Sequence, residues 1–568
     1  MTATARDANT GTNAAGTATP ATNAATDTAD VSATIAPGAA APPRPGTNAA
    51  PIGLPAVLRE GGATRLIEQV RCSSGQTVPV AAPYTGETLA ELPQCSAEDV
   101  QAAFDRARAA QRAWAARPVR ERARVFLRMH DLLLARQAEV MDIIQAENGK
   151  ARTDAFLEVA DIANTARYYA RAARALLRPR HRKGLFPVLT STRELHQPKG
   201  VVAIVSPWNY PLALGAGDSI PALIAGNAVV QKPDNQTALT ALWALSLARE
   251  AGLPADVWQM VLGRGSTIGS VLMDSADYMM FTGSTASGKR IAEQAGARLI
   301  GCSLELGGKN AMIVLDDADL DRVVEGAVRA CFSSSGQLCI SIERMYVQDG
   351  IYDRFVPRFV EAVRAMKLGA GYDFSYDMGS LTSPPQLETV TAHVQDAVAN
   401  GATVLAGGNA RPDLGPLFFE PTVLTGVTDA ATCFGEETFG PLVSIYRFGD
   451  VEDAIGRANQ SAYGLNASVW TKSVRRGREV GAALHAGTVN INEGYGAAWG
   501  SIDSPMGGMG ESGLGRRHGA EGLLKYTEAQ TVARQRLVNL APPGRMSQER
   551  FAALMTRSLK LLRRVGLR

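Results

Sequence analysis

A cysteine, a glutamate and an asparagine lie in short segments whose composition suits covalent chemistry. Cys339 follows the small, flexible run 333–336, where backbone amides can point toward the sulfur and a thiolate can be approached. Glu305 lies between leucines ahead of a glycine pair, and apolar surroundings raise a carboxyl pKa toward the range of a general base. Asn209, in the run SPWNYP, has prolines on both sides that would fix its carboxamide as an oxyanion donor.

Each of these residues also has an ordinary structural explanation. A single cysteine is more often an inert core thiol, and an isolated glutamate is more often a solvated group at a helix end. An asparagine beside prolines is typical of turns. Cys302 and Cys331, flanked by apolar residues, are interpreted as structural. The residues taken singly leave both interpretations open.

Two glycine-containing segments could bind a phosphate group. The run FTGSTASG, with Gly283, Ser284 and Gly288, predicts a strand that ends in a turn and opens a helix, whose first backbone amides suit a phosphate. The segment 263–269, which contains Gly265, looks like a dinucleotide fingerprint, but its third glycine comes one residue too late for GxGxxG. That second segment is weak evidence on its own.

The elements that must position these residues follow two patterns. Ser96 opens a capping-box signature, and amphipathic helical stretches follow to about Leu177. From Val201 onward, short β-branched runs alternate with helical segments, which predicts an α/β fold with parallel sheets covered by helices. Such a sheet binds its ligand in the crevice at the carboxyl ends of its strands.

Composition places the chain among ordinary globular proteins. A length of 568 residues predicts two or three domains, and a net charge of +3 gives no reason to expect nucleic acid as a partner. No apolar run reaches the length of a spanning helix, and the N-terminus lacks a basic region followed by an apolar one, so we expect a cytoplasmic protein. Residues 1–50, rich in Ala, Thr, Pro, Gly and Asn, predict a disordered tail.

The cysteines and the C-terminus give two further expectations. Six cysteines without CxxC pairs or nearby histidines argue against a disulfide framework and against a metal site. The segment 541–568 predicts a basic amphipathic helix. Packing on its own protein is the commoner arrangement for such a helix, and binding to a membrane surface is the alternative.

Eight sequence blocks, in one order, resemble the aldehyde dehydrogenase superfamily from about Pro51 to Val532. The resemblance implies a Rossmann-type cofactor domain at 52–305, interrupted by a bridging segment at 178–198, and an α/β catalytic domain at 306–487. Residues 488–540 would return to the cofactor domain and supply a small β oligomerisation element, as in a homodimer or homotetramer. The blocks are PWNYP, KP at Lys232–Pro233, FTGSTASG, LELGGKN, GQLC, EETFGP, YGLNASVW and PMGG…SGLGRRHG…GLLKYTE.

The resemblance also implies a role for each matching residue. Cys339 would be the nucleophile, Asn209 and the Cys339 amide the oxyanion hole, and Glu305 the base that hydrolyses the thioester. A dehydrogenase that passes the thioester to coenzyme A would need no such base, and a non-catalytic protein of this fold would be expected to have lost one of the three. The residues implied for cofactor binding are Trp208, Lys232, Asn235, Gly265, Gly283, Ser284, Gly288, Glu437 and Phe439.

Within the superfamily the chain most resembles actinobacterial-type succinate-semialdehyde dehydrogenases. Relatives with that activity bind the carboxylate at the far end of the substrate, away from the aldehyde, with two arginines. The corresponding positions in this chain are Gly217 and Ser333. Ser501 matches a serine that could donate to the carboxylate. We expect succinate semialdehyde as the substrate, with a neutral aliphatic or aromatic aldehyde as the alternative. Cations that could replace the missing arginines are Arg344, Arg516 and Arg517.

The cofactor prediction depends on the third residue after Lys232. NAD-preferring relatives often carry a glutamate there, which binds the ribose 2′-hydroxyl and repels a 2′-phosphate. This chain has Asn235, although Asp234 could restore some repulsion. We therefore predict that NADP is preferred and NAD tolerated.

Overall fold

The computed structural model describes residues 53–185, 190–536 and 540–566 of the chain. The tail predicted to be disordered, residues 1–50, lies outside the described residues.

A two-stranded hairpin and a layer of long helices form the first part of the described chain. Ser96 accepts the Asp99 amide at 3.2 Å, and the Asp99 carboxylate accepts the Ser96 amide at 2.9 Å, which confirms the predicted capping box. The elements are α1 (Gly62–Ile67), β1 (Thr77–Ala81), β2 (Thr88–Pro93), α2 (Ala97–Ala116), α3 (Val119–Ala135), α4 (Gln137–Asn148) and α5 (Arg152–Leu176).

Strands and helices then alternate, as the β-branched runs from Val201 onward predict. The strand residues Val201 to Ile204 are fully buried, which is typical of parallel strands covered on both faces. The elements are β3 (Arg180–Lys183), β4 (Thr190–Pro198), β5 (Val201–Ser206), α6 (Pro211–Ala225), β6 (Ala228–Pro233), α7 (Ala238–Glu250), β7 (Trp258–Met260), α8 (Gly265–Ser275), β8 (Tyr278–Thr282), α9 (Thr285–Arg298) and β9 (Gly301–Glu305).

The same alternation continues through the second half of the chain. Its elements are β10 (Asn310–Val314), α10 (Leu320–Phe332), β11 (Ile342–Gln348), α11 (Asp349–Ala365), α12 (Pro384–Ala399), β12 (Thr403–Ala406), β13 (Thr422–Thr425), α13 (Thr432–Gly435), β14 (Leu442–Phe448), α14 (Val451–Asn459), β15 (Tyr463–Gly464), β16 (Asn466–Trp470), α15 (Val474–Ala483), β17 (Thr488–Ile491), α16 (Gly496–Trp499), β18 (Met509–Gly510), β19 (Gly513–Leu514), α17 (Gly519–Leu524), β20 (Thr527–Gln535) and α18 (Gln548–Arg564).

Two sheets carry most of these strands. The first has the order β19-β9-β8-β5-β6-β7 and is parallel apart from β19. The second has the order β12-β13-β14-β11-β10-β16-β17 and is parallel apart from β12. In the first sheet the chain leaves β5 toward β6 on one side and later returns as β8 on the other, so a crevice opens at the carboxyl ends of β5 and β8.

A third, antiparallel sheet has the order β20-β4-β3. Strand β20 pairs with β4 along nine residues, from Thr527 opposite Pro198 to Gln535 opposite Thr190. Beyond Thr527 every residue of β20 is exposed. These strands fall in the segments predicted to bridge subunits, and both that role and the domain boundaries at 305 and 487 stay predictions.

The expectation that the cysteines form no disulfide is wrong for one pair. Cys72 and Cys95 are joined by a disulfide that spans 23 residues of sequence. Their spacing fits no local motif, because the fold brings the segment after α1 against the residues that follow β2. The other four cysteines are free, and Cys331 and Cys433 among them are buried.

The C-terminal helix also departs from its predicted setting. Residues Gln548–Arg564 form α18, as predicted, but no residue of this helix is buried. The expected close packing of the helix on its own chain is therefore not observed, although Phe551, Met555 and Leu562 are half-buried. In the described ranges, no helix combines the length and the apolar character that crossing a membrane requires.

Candidate active site

Cys339 lies three residues beyond a 3-10 turn, Ser333–Gly336, that follows α10. The backbone is left-handed at Ser334 (φ 52°), Ser335 (φ 56°) and Gly336 (φ 69°), a conformation that costs a residue with a Cβ about 1 kcal/mol. Asp154 on α5 holds the turn by accepting the Ser334 amide at 2.8 Å. Strain of this kind is typical of functional segments, and it fixes the position of the cysteine.

Asn209 lies in the turn between β5 and α6 and is buried. Its Nδ2 donates to the carbonyl of Gln337, two residues before the cysteine, at 3.1 Å. Its own carbonyl accepts a hydrogen bond from Lys150, whose ammonium pairs with Glu158 at 2.7 Å. The other oxygen of Glu158 accepts the Leu212 amide at the start of α6. A buried ion pair thus holds the turn that carries the amide.

Glu305 is the last residue of β9 and is buried. Burial raises the pKa of its carboxyl to about 7, while the nearby Arg517 cation opposes the shift. The two side chains approach to 4.0 Å, and Arg517 also donates to Asp218 at 2.9 Å. Within the described chain, Oε1 of Glu305 has no hydrogen-bond partner. A carboxylate with a free oxygen and a pKa near neutrality is suited to accept a proton from water.

The structure brings these three segments together. Asn310, at the start of the strand after β9, donates to the Cys339 carbonyl at 2.8 Å, so the sulfur-bearing residue lies beside the segment that follows Glu305. Asn209 reaches the same loop through Gln337. Burial raises the pKa of the Cys339 thiol to about 12, against the pull of the Arg517 cation. The predicted nucleophile, base and oxyanion donor therefore share one site, with the thiol protonated at neutral pH.

Two of the residues predicted to bind the cofactor lie at the carboxyl end of β6: Lys232 within the strand and Asn235 just after it. The Lys232 ammonium is buried, which lowers its pKa, and within the described residues it donates to the Pro233 carbonyl at 3.2 Å. An ammonium has three donors, so two remain for the hydroxyls of a ribose. The Asn235 amide donates to Gln94 at 3.1 Å and accepts the Gly263 amide at 3.3 Å.

The predicted phosphate segment lies at the crevice of the first sheet. Ser284 caps α9 by accepting the Ser287 amide, and Gly283 precedes it directly after β8. A Cβ at Gly288 would meet the Leu306 side chain at 2.5 Å, which explains why the helix needs glycine there. Gly265 is the first residue of α8, and a side chain at this position would meet no other atom within 4 Å of its Cβ. Helix starts of this kind fit the pyrophosphate of a dinucleotide.

Aromatic and acidic residues border the same region. The Trp208 and Phe439 rings meet edge to face, with centroids 5.5 Å apart. Phe439 has a positive φ of 52°, and Glu343 accepts its amide at 3.0 Å. Glu437 accepts the Gly308 amide at 2.7 Å, and burial raises its pKa to about 8. The loop 437–439 is thereby held against the glycine pair that follows Glu305.

A cavity of about 910 Å³ lies beside the turn that leads to Cys339. Ser333, Tyr495 and Trp499 line it, and the Tyr495 hydroxyl donates to Ser333 at 2.8 Å. Arg329, one helical turn before Ser333 on α10, also lines the cavity, and its side chain is exposed there. Arg358, the other guanidinium in the wall, pairs with Asp321. Carboxylates in the same wall are Asp154, Asp161, Asp321, Glu325, Asp377 and Glu493.

The cations proposed to replace the missing arginines do not line this cavity. Arg344 is buried and donates to the Lys309 and Ala458 carbonyls, and Arg516 donates to the Gly508 carbonyl. Arg517 belongs to the Glu305 cluster. Ser501 is exposed and donates to the Ala497 carbonyl at 2.7 Å, outside the residues that line the cavity.

Gly217 lies on α6, where a built Cβ would approach the Ile162 side chain at 3.3 Å. It lines a separate small cavity with Asp218 and Arg517. The position therefore adds no cation to the site.

Sequence reasoning missed the residues that support the site. The sequence pattern places Lys150, Glu158 and Asp154 only within amphipathic helices, and it gives no sign that Arg329 lines a cavity. The available signal was the polar run Glu147–Lys150 at the end of an apolar helical pattern, since charged residues are seldom fully buried unless they are paired.

A family model for the aldehyde dehydrogenase family matches residues 70–532. The chain belongs to the aldehyde dehydrogenase family. This confirms both the family resemblance and the predicted α/β fold. Among solved structures, one described as an E. coli NADP-dependent enzyme is similar, with 34% identity and a TM-score of 0.80 over 83% of this chain and 99% of that chain. A succinate-semialdehyde dehydrogenase from Burkholderia pseudomallei is 33% identical, with a TM-score of 0.79 over 82% and 98%.

Two curated relatives of this aldehyde dehydrogenase carry more specific names. A Mycobacterium ulcerans protein named "Putative succinate-semialdehyde dehydrogenase (NADP+) 2" is 58% identical over 81% of this chain and 89% of its own length. The mitochondrial succinate-semialdehyde dehydrogenase of Oryza sativa is 37% identical over 81% and 86%.

Proposed function

We propose that this chain oxidises succinate semialdehyde to succinate, with NADP preferred over NAD. One observation carries the proposal: a cysteine three residues beyond a strained turn, a buried carboxyl with a pKa of about 7 and a fixed carboxamide lie together at the carboxyl-end crevice of the first sheet. A thiol nucleophile, a base and an oxyanion donor are the groups required for a reaction that passes through a thioester.

The proposed reaction begins at the Cys339 sulfur. The sulfur attacks the planar aldehyde carbon, and the Asn209 carboxamide and the Cys339 amide stabilise the negative charge that develops on the oxygen. Because burial keeps the thiol protonated, its proton must leave before the attack; ionised Glu305 accepts this proton and releases it to solvent before the hydrolysis step. Glu305 then takes a proton from the water that hydrolyses the thioester.

The residues present fit a nicotinamide dinucleotide. When bound, that cofactor accepts the hydride from the substrate carbon. Lys232 and Glu437 would hold its riboses, and Trp208, Gly283 and Ser284 would lie along its pyrophosphate. Asn235, an amide in place of a carboxylate, supports tolerance of a 2′-phosphate. The NADP-specific name of the mycobacterial relative supports the same preference.

The names of the relatives and one cavity residue support succinate semialdehyde as the substrate. Arg329 is exposed in the cavity wall and forms no ion pair within the described chain, so its guanidinium remains for a substrate carboxylate. A neutral aromatic or aliphatic aldehyde is the second candidate. The aromatic wall of Tyr495 and Trp499 and the carboxylates around it favour that alternative.

An initial-rate screen tests the proposal. Purified protein is assayed on succinate semialdehyde, glutarate semialdehyde and neutral aliphatic and aromatic aldehydes, each with NADP and with NAD. We expect the highest kcat/KM for succinate semialdehyde with NADP, and no oxidation by Cys339→Ala. A preference for neutral aldehydes would refute the substrate assignment, and an active Cys339→Ala would refute the mechanism.

The contribution of Arg329 has its own test. Arg329→Gln should raise KM for succinate semialdehyde about tenfold or more, as expected when a charge-assisted hydrogen bond is lost, and leave a neutral aldehyde unaffected. Arg358→Gln is the matched control, because that guanidinium is already paired with Asp321. Equal effects of Arg329→Gln on both substrates would show that the arginine has only a structural role.

A further inference from the structure

The C-terminal helix α18 is a long helix without a buried side chain. It runs for 17 residues, about 25 Å, and none of its residues is buried. Three leucines on it are more than half exposed: Leu554 at 52%, Leu559 at 60% and Leu561 at 62%. A helix that leaves such side chains in water gains little stability from contacts with its own chain. Its amphipathic pattern therefore indicates that the apolar face packs against another surface.

The apolar and charged residues of α18 are concentrated on different sides of the helix. At 100° per residue, Phe551, Met555 and Leu562 define the centre of one face, and the exposed leucines lie on its two flanks. The opposite half carries only cationic charges after Glu549 at the first turn. These cations are Arg550, Arg557, Lys560, Arg563 and Arg564.

We propose that α18 is a membrane-surface helix that binds an anionic lipid bilayer. Its apolar face would enter the boundary between headgroups and acyl chains, and its five cations would attract the helix to the anionic headgroups, an arrangement that amphipathic helices of this composition adopt. The helix lies on the membrane in this arrangement and does not cross it. The enzyme becomes a peripheral membrane protein through a segment separate from the catalytic site.

Charge favours an anionic lipid surface over a second copy of this chain. The segment between β20 and α18 adds Arg536 and Arg545 to the five cations of the helix, so a second α18 packed against this one would meet a strongly cationic partner. A second copy would bring the same positive charges together, whereas an anionic bilayer neutralises them. Nucleic acid would also neutralise them, but it would leave the exposed leucines in water.

Flotation of the full chain with vesicles tests the proposal. The vesicles contain phosphatidylcholine with or without 30% phosphatidylglycerol, as a composition chosen for the assay. We expect binding to the anionic vesicles, and at least tenfold weaker binding to phosphatidylcholine alone or in high salt.

Three variants separate the contributions of the two faces. Leu554→Ser/Leu559→Ser/Leu561→Ser and Arg557→Glu/Lys560→Glu/Arg564→Glu should each weaken binding at least tenfold while aldehyde oxidation stays unchanged. The control Arg112→Glu/Arg120→Glu/Arg124→Glu makes the same charge change at exposed positions on α2 and α3, and it should weaken binding much less than the charge change on α18.

Several outcomes would overturn the assignment. These are absence of binding to anionic vesicles by the full chain, equal binding by all variants, or tighter binding to duplex DNA that the leucine variant retains. A leucine variant that changes the molar mass in solution, without any vesicle binding by the parent protein, would instead identify α18 as a subunit interface.

Discussion

At the scale of single residues, Glu305 and Arg517 set the pH range of the proposed reaction. Burial raises the Glu305 pKa to about 7 and Arg517 lowers it. Because the base acts when ionised, kcat should rise with pH through about 7 and level off above it. Arg517→Gln removes a cation that favours the carboxylate, so the midpoint should move to higher pH. A pH profile of kcat measures this shift.

The ion pair of Arg517 with Asp218 provides the control for that experiment. Asp218 raises the Glu305 pKa, so the double variant Asp218→Asn/Arg517→Gln should return the midpoint toward the value of the parent protein. It also leaves no unpaired charge from the pair in the interior. An unchanged midpoint in Arg517→Gln would show that the arginine does not act on the base.

Cys339 gives a second prediction at this scale. With a thiol pKa of about 12, alkylation of the free protein by iodoacetamide should be slow at pH 7 and accelerate roughly tenfold per pH unit up to pH 10. Mass spectrometry of the peptide that contains Cys339 follows the rate, and Cys302 serves as a half-buried reference. A plateau of the rate near pH 8 would contradict the assigned protonation state.

At the scale of elements, the buried Lys150–Glu158 pair connects α5 to the turn that carries Asn209. Lys150→Met leaves Glu158 without its cation, so we expect a loss of about 3–5 kcal/mol in stability and a large fall in kcat. Lys289→Met, which breaks the exposed pair with Glu511, should cost at most about 1 kcal/mol. Denaturant unfolding of both variants measures the difference in the free energy of unfolding. Equal losses would argue against a structural role for the buried Lys150–Glu158 pair.

The elements also show what sequence alone could and could not supply. The strands from Val201, the capping box at Ser96 and the helix start at Ser284 follow from local patterns and were predicted. The contact of Lys150 with the Asn209 carbonyl joins residues 59 positions apart, and no periodicity encodes it. The left-handed serines before Cys339 could not be predicted either, because that conformation is expected of glycine.

At the scale of the whole molecule, the β20-β4-β3 sheet supports the proposed oligomer. Strand β20 is exposed beyond its first residue, and Val532 on it is 49% exposed. We expect a dimer or tetramer by light scattering, with a shift to smaller species in Val532→Asp. Val398→Asp, at a position on α12 with 46% exposure, is the control. A monomeric parent protein would refute the bridging role of the sheet.

The Cys72–Cys95 disulfide encloses the hairpin of β1 and β2 within a covalent loop. A protease that cuts once inside this loop produces two polypeptides that remain tethered. Such a nicked enzyme would migrate as one band on a denaturing gel until a reductant releases the short N-terminal fragment. A single cut in this hairpin therefore escapes detection on a denaturing gel that is run without a reductant.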